Sequence, residues 1–244
     1  MKIPFHKPHI SQKELDCVSD TIQSGWLTMG PKTLKFENKF KKLIGTQYAI
    51  SVNSATAALH LALNAVGVGK NDEVLIPTNT FVATAEAVVY LGATPILCDI
   101  ESSSHNINVK LIEKQITSRT KAIIPVHFGG NACNMDEILR ITQKYNLKLI
   151  EDAAHALPSS YKGRKIGSIS DATCFSFYAN KTLTTGEGGM VTTDINEIAD
   201  KISIQRLHGI RGDSWSRFER DNDWFYEVMD LGYKYNTTDI QSSI

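Results

Sequence analysis

Three stretches of this sequence gather residue types that can do chemistry. The first is Asn53-Ser54-Ala55-Thr56, small and polar residues placed directly ahead of an apolar helical run. Small residues at a helix start expose backbone N–H groups, and these with the helix dipole form a site for an anion such as a phosphate. A plain N-cap by Asn53 or Ser54 explains the same residues without a ligand. The second stretch is Glu151-Asp152-Ala153-Ala154-His155, two carboxylates and an imidazole following the apolar pair Leu149-Ile150. Carboxylates are costly to bury without partners, so this is either a site or a solvated turn. The third runs from Ser176 to Gly189 and sets Lys181 in polar, glycine-rich backbone between two apolar strands. It reads as a small-molecule site or as an exposed lysine on a loop.

One chemistry uses all three stretches at once. Pyridoxal phosphate needs a lysine to form a Schiff base, an acid against its pyridine nitrogen, an anion cradle for its phosphate and a surface against its ring. Lys181 supplies the amine and Asp152 the acid, with the cradle at residues 53–56. Phe81, just past an apolar strand, supplies the ring face. In transamination, Lys181 displaced by substrate carries a proton between the donor α-carbon and C4′ of the cofactor. His127, Cys133 and His155 are the residues available for a metal, but their spacing fits no zinc pattern.

These groups must be positioned by the elements around them. Ser11 with Glu14 forms a capping box that opens a helix to about Gln23, and a second helix follows Pro31 and stops at Gly45. Short apolar runs then alternate with helical stretches. Tyr48 to Val52 precedes Ala55 to Ala65; Glu73 to Ile76 precedes Phe81 to Leu91; Pro95 to Ile100 precedes Val109 to Ile116. Lys121 to Val126 precedes Met135 to Tyr145, and Leu147 to Ile150 leads into the acidic stretch. Two later strands, Thr173 to Phe177 and Gly189 to Thr192, and a helix from about Asn196 to Leu207 follow. Near-continuous apolar strands joined by helices predict an α/β fold with a parallel, doubly wound sheet. In such sheets ligands bind beyond the carboxyl ends of the strands, where all three stretches fall. Arg211 to Glu227, with Trp215, Phe218, Trp224, Phe225 and Tyr226 among charges, reads as a structured excursion.

Composition narrows the setting. The 244 residues carry 26 Lys+Arg and 26 Asp+Glu, so no net field attracts nucleic acid. The apolar runs are far short of the ~20 residues that cross a bilayer, which excludes a membrane helix. MKIPFHKPHI has no apolar h-region, so the expected location is the cytoplasm. Cys17, Cys98, Cys133 and Cys174 form no CxxC pair and read as reduced thiols.

The chain resembles the DegT/DnrJ/EryC1/StrS family of sugar aminotransferases. The resemblance rests on Ser24 to Pro31, Ser54 to Leu59, Glu151 to Ala156, Ser176 to Gly189, Arg206 to Gly209 and Leu231 to Gln241. It implies the fold-type I architecture, a three-layer large domain with a mostly parallel central sheet, over residues 1–244 including the N-terminal helices. By the same analogy Lys181 is the Schiff-base lysine, Asp152 the pyridine-nitrogen partner and Phe81 the stacking aromatic. Ser54, Ala55, Thr56 and Ser176 hold the phosphate, His155 stands beside the 3-oxygen, and Lys234 reaches the phosphate of a neighbouring subunit in a homodimer. Many relatives carry Asn at the position of Lys234. The expected reaction moves an amino group, with L-glutamate as donor, to a nucleotide-linked keto-sugar in polysaccharide or amino-sugar biosynthesis. Family members continue beyond the Thr-Asp-Ile-Gln segment into a C-terminal small domain, so the chain is expected to be truncated at Ile244. A non-catalytic remnant that binds the cofactor is one alternative. The related sugar dehydratase, which carries His at the Schiff-base position, is another, and Lys181 argues against it.

Overall fold

A computed structural model describes residues 3, 4, 6–212, 215 and 226–244. Among them, a seven-stranded sheet forms the centre, in the order β1-β9-β8-β5-β4-β2-β3. Its strands are β1 (Tyr48–Val52), β2 (Glu73–Pro77), β3 (Thr94–Cys98), β4 (Thr120–Ile123), β5 (Lys148–Asp152), β8 (Ala172–Ser176) and β9 (Gly189–Thr193). Only β9 runs against its neighbours, pairing antiparallel with both β1 and β8. The predicted α/β architecture is the one observed. Parallel strands need helical crossovers, and those helices cover both faces. This explains why every residue of β2 is buried.

On one face lie α3 (Ala55–Ala65), α4 (Val82–Val89) and α7 (Asn196–Gln205), whose apolar residues share a core with Val52, Ile76, Ile124 and Ile150. Residues Ala57 to Leu63 of α3 are all buried, which makes it a central helix with no solvent face. The other face carries α2 (Pro31–Ile44), α5 (Val109–Gln115) and α6 (Met135–Tyr145). There Ile112, Met135, Ile138 and Ile141 pack together, and Phe40 and Ile44 pack on Phe175 and Phe177. α1 (Gln12–Gln23) has the expected capping box between Ser11 and Glu14.

Several boundaries differ from the sequence reading for local reasons. β5 extends two residues further, through Asp152, because Asp152 donates its N–H to Pro125 O (2.9 Å) while His127 N donates to Asp152 O (3.1 Å). β4 ends at Ile123 rather than Val126, since Pro125 has no N–H for the ladder. The hairpin of β6 (Ser160–Tyr161) and β7 (Arg164–Lys165) has strands too short to register as a period. A final helix, α8 (Asp239–Ser242), sends the Asp239 carboxylate back to the start of α2.

Cys98, Cys133 and Cys174 are buried, and burial pushes the Cys98 thiol up to about 11. No described helix is long and apolar enough to cross a membrane. Of the Arg211–Glu227 excursion, Phe218, Trp224 and Phe225 lie outside the described residues; Trp215 sits edge-on to Trp26 with ring centroids 4.8 Å apart.

Candidate active site

The carboxyl ends of β5 and β8 and the starts of α3 and α4 enclose a cavity of about 570 Å³. Ser54, Ala55, Thr56, Phe81, Asp152, His155, Ser176 and Lys181 all line it. The three chemistry-bearing stretches therefore meet in one place.

The anion cradle is the first turn of α3. Ser54 is its N-cap, with Oγ accepting from Ala57 N at 3.1 Å, so the capping reading holds. Capping leaves the ligand reading intact, because the N–H groups of the first helical positions have no intrahelical partner. No acidic residue occupies this first turn. Ser176 closes the cradle from the end of β8, where its Oγ accepts from Tyr178 N at 3.3 Å. Gly189 makes the approach possible: a Cβ there would lie 2.4 Å from Ser54 O and 2.8 Å from Ala55 N. Backbone donors, serine and threonine hydroxyls and a helix N-terminus are the donor set that suits a phosphate.

Asp152 is nearly buried at the end of β5, and both its oxygens are engaged. Thr84 Oγ1 donates to Oδ2 at 2.8 Å, and Ala154 N donates to Oδ1 at 3.1 Å. Its neighbour Glu151 does not line the cavity. Successive side chains of a strand point to opposite faces. Glu151 instead accepts from Thr173 Oγ1 at 2.9 Å and pairs with His127 Nε2 at 2.8 Å, all three side chains being buried. The other His127 nitrogen accepts from Cys133 N at 3.1 Å, so both ring nitrogens are occupied by protein.

Lys181 sits in a loop drawn closed at its base. Phe177 N donates to Gly188 O (2.9 Å) and Thr185 N to Phe177 O (3.0 Å), and inside the loop Lys181 N donates to Tyr178 O (3.0 Å). These bonds give the glycine-rich stretch a defined shape rather than that of a free loop. Withdrawal from water lowers the Lys181 amine below the ordinary lysine value, and Asp152 opposes that shift. The His155 imidazole is also lowered, first by partial desolvation and then by the Lys181 charge. Lys181 is thus within electrostatic reach of both partners. Phe81, the N-cap residue of α4, is 75% exposed and lines the cavity.

Lys234 does not line the cavity. It is exposed, and its carbonyl accepts from Asn53 Nδ2 at 3.3 Å, so its backbone lies against the residue preceding the cradle. Asn79 and Thr80, absent from the sequence reading, also line the cavity, as do Tyr178 and Asn180 from the Ser176–Gly189 stretch. Thr84 is missing from that reading as well. Its signal was its place one turn beyond Phe81 in a predicted helix. Among the described residues no cluster of His, Cys, Asp or Glu could hold a metal ion.

The sequence profile of the DegT/DnrJ/EryC1/StrS aminotransferase family matches residues 8–244. The chain is 48% identical over 242 residues to the spore coat polysaccharide biosynthesis protein SpsC of Bacillus subtilis, covering 99% of this chain and 62% of that protein. Its fold matches the PLP-form of Spr1654 from Streptococcus pneumoniae with a TM-score of 0.91 at 37% identity, covering 100% of this chain and 65% of that one. It also matches Helicobacter pylori PseC, an aminotransferase involved in the biosynthesis of pseudoaminic acid, with a TM-score of 0.91 at 30% identity, covering 100% and 64%. The chain thus spans 62–65% of the length of these relatives.

Proposed function

The chain belongs to the DegT/DnrJ/EryC1/StrS aminotransferase family, and from that premise we propose that residues 1–244 are the cofactor-binding domain of a pyridoxal-phosphate-dependent sugar aminotransferase. The observation that carries this reading is the convergence of Lys181, Asp152, Phe81 and the Ser54–Thr56 turn on one cavity. The reaction moves an amino group from L-glutamate to the keto carbon of a nucleotide-linked sugar, in the making of a polysaccharide or an amino sugar, in the cytoplasm.

Bound pyridoxal phosphate supplies an aldehyde for nitrogen and a pyridinium ring that withdraws electrons from the carbon losing its proton. This chain's residues do the rest. Ser54, Ala55, Thr56 and Ser176 hold the phosphate at the α3 N-terminus. Phe81 would cover the ring face, and His155 would stand beside the ring oxygen. Asp152 holds a proton on the pyridine nitrogen, which keeps the ring electron-poor. Lys181 Nζ would be the amine that holds the cofactor through its aldehyde and, in its free form, the base that moves the proton of the donor α-carbon. Desolvation favours the neutral, nucleophilic form of that amine. A homodimer, with Lys234 of each subunit directed at the partner's phosphate site, completes the proposal.

The test is chemical trapping. Protein incubated with pyridoxal phosphate and reduced with borohydride should carry the label on Lys181, and Lys181→Ala should carry none there. Labelling of another lysine in place of Lys181 would falsify the assignment.

A further inference from the structure

Asp152 is held by a chain of hydroxyl groups that starts at the cavity wall and passes through the core. Thr84 Oγ1 lies 2.8 Å from Asp152 Oδ2, and Thr80 Oγ1 lies 2.7 Å from Thr84 Oγ1. An ionised carboxylate can only accept, so the single Thr84 hydroxyl proton is committed to Asp152. The Thr84 oxygen must then accept from Thr80, which fixes the direction of a contact that geometry alone leaves open. Thr80 in turn keeps only acceptor capacity toward the cavity. Thr80 and Asp152 line the cavity; Thr84 does not, and it is fully buried on α4 beside Ala83, Ala87 and Val88. A β-branched side chain on a helix has few rotamers open to it, so the donor is delivered from a rigid position. The same helix carries Phe81 at its N-cap, so α4 sets both the aromatic face and the carboxylate of the site.

We propose that Thr84 is a positioning residue for the cofactor site: its hydroxyl fixes the rotation of the Asp152 carboxylate against the cavity and commits Thr80 to accepting. This rests on the reading of Asp152 as the partner of the pyridine nitrogen. Together with the Ala154 N–H on Oδ1, the Thr84 bond to Oδ2 holds the carboxylate against turning about its last torsion. A hydroxyl that merely satisfies a buried position predicts no effect on the cofactor beyond its effect on folding.

The two roles separate by titration of the cofactor-free chain with pyridoxal phosphate, followed by visible absorption across pH, with thermal melts of the same cofactor-free samples. Thr84→Val removes the donor and keeps the shape. It is expected to weaken cofactor affinity about tenfold, the scale of one hydrogen bond to a charged group, and to move the pH midpoint of the bound cofactor's absorption. Thr84→Ser should restore both. Thr84→Ala, which deletes the donor without crowding, should repeat the loss and stands in should the valine variant not fold. Wild-type affinity and pH midpoint in either folded donor-less variant would overturn the proposal. Asp152→Asn is the control. A change in midpoint with Asp152→Asn but none with Thr84→Val or Thr84→Ala sinks only the positioning role, whereas no change with Asp152→Asn sinks the reading of Asp152 itself.

Discussion

Gly189 and Ser54 are packed backbone to backbone: a methyl group on Gly189 would stand 2.4 Å from Ser54 O. β9 begins at this glycine, and the cradle turn begins at that serine. The two share no local sequence, yet the shape of the anion site depends on the missing side chain.

Gly189→Ala should therefore push the Ser54–Thr56 turn away from β9. The obstacle is backbone rather than a flexible side chain, so relief must come from the turn or the strand. Overpacking of this kind costs about 1–3 kcal/mol, visible as a lowered melting temperature. Cofactor or inorganic phosphate affinity, measured by calorimetry, should fall more than that of a distant variant of equal stability.

Asp152→Asn is expected to bind pyridoxal phosphate at saturating concentration and to lose most turnover when tested in an otherwise active protein. An amide accepts the Thr84 and Ala154 hydrogen bonds on its oxygen only, and it cannot stabilise a proton on the pyridine nitrogen. Half-transamination of glutamate, followed by absorbance, measures the loss. Wild-type rates would remove the electron-withdrawing role from Asp152.

His60 predicts an acid-sensitive fold. It is buried in α3 against the rings of Tyr90, Tyr233 and Tyr235; Nδ1 meets Tyr235 Oη at 3.2 Å, and Nε2 has no hydrogen-bond partner among the described residues. Burial lowers its pKa below 6.5. The unfolded chain therefore takes up a proton at a pH where the folded chain does not, and stability falls as pH drops through 6.5 toward the folded value. His155 is lowered too and acts with the same sign. Urea melts between pH 7.5 and 5.5 should show this decline, and His60→Phe should flatten it. An unchanged slope would assign the acid sensitivity elsewhere.

Asp239 ties the C-terminal segment to the N-terminal helices. Its carboxylate accepts from the N–H groups of Gly30 (2.8 Å), Lys32 (3.0 Å) and Thr33 (2.9 Å) and from the Thr33 hydroxyl (2.7 Å), while its own N–H donates to Thr28 O at 3.1 Å. It thus caps α2, whose own N-cap is Gly30 and has no side chain to do so. Asp239→Ala leaves these buried donors unpaired and should cost about 2–3 kcal/mol. Hydrogen exchange should show the first turn of α2 opening first. Protection equal to wild type there would show that the cap is dispensable.

Much of this protein was legible in its sequence because the causes are local. Helix starts at Ser11, Pro31 and Ser54 follow from capping chemistry, and the apolar runs of β1 and β2 follow from burial on both faces. The residue types at Ser54–Thr56, Asp152 and Lys181 defined the chemistry before any contact was known. Tertiary structure supplied the physical reason that Asp152, and not its neighbour Glu151, faces the cavity. Strand alternation sends Glu151 and Asp152 to opposite faces, but only the fold reveals that Glu151 meets His127 and Thr173 while Asp152 meets Thr84 and Ala154. The same holds for Gly189, whose need to be glycine comes from Ser54 across the sheet edge, and for β9, whose antiparallel run is set by its partners. Local sequence carries propensity and pattern; a site's orientation arises from contacts between residues far apart in the chain, which no local pattern encodes.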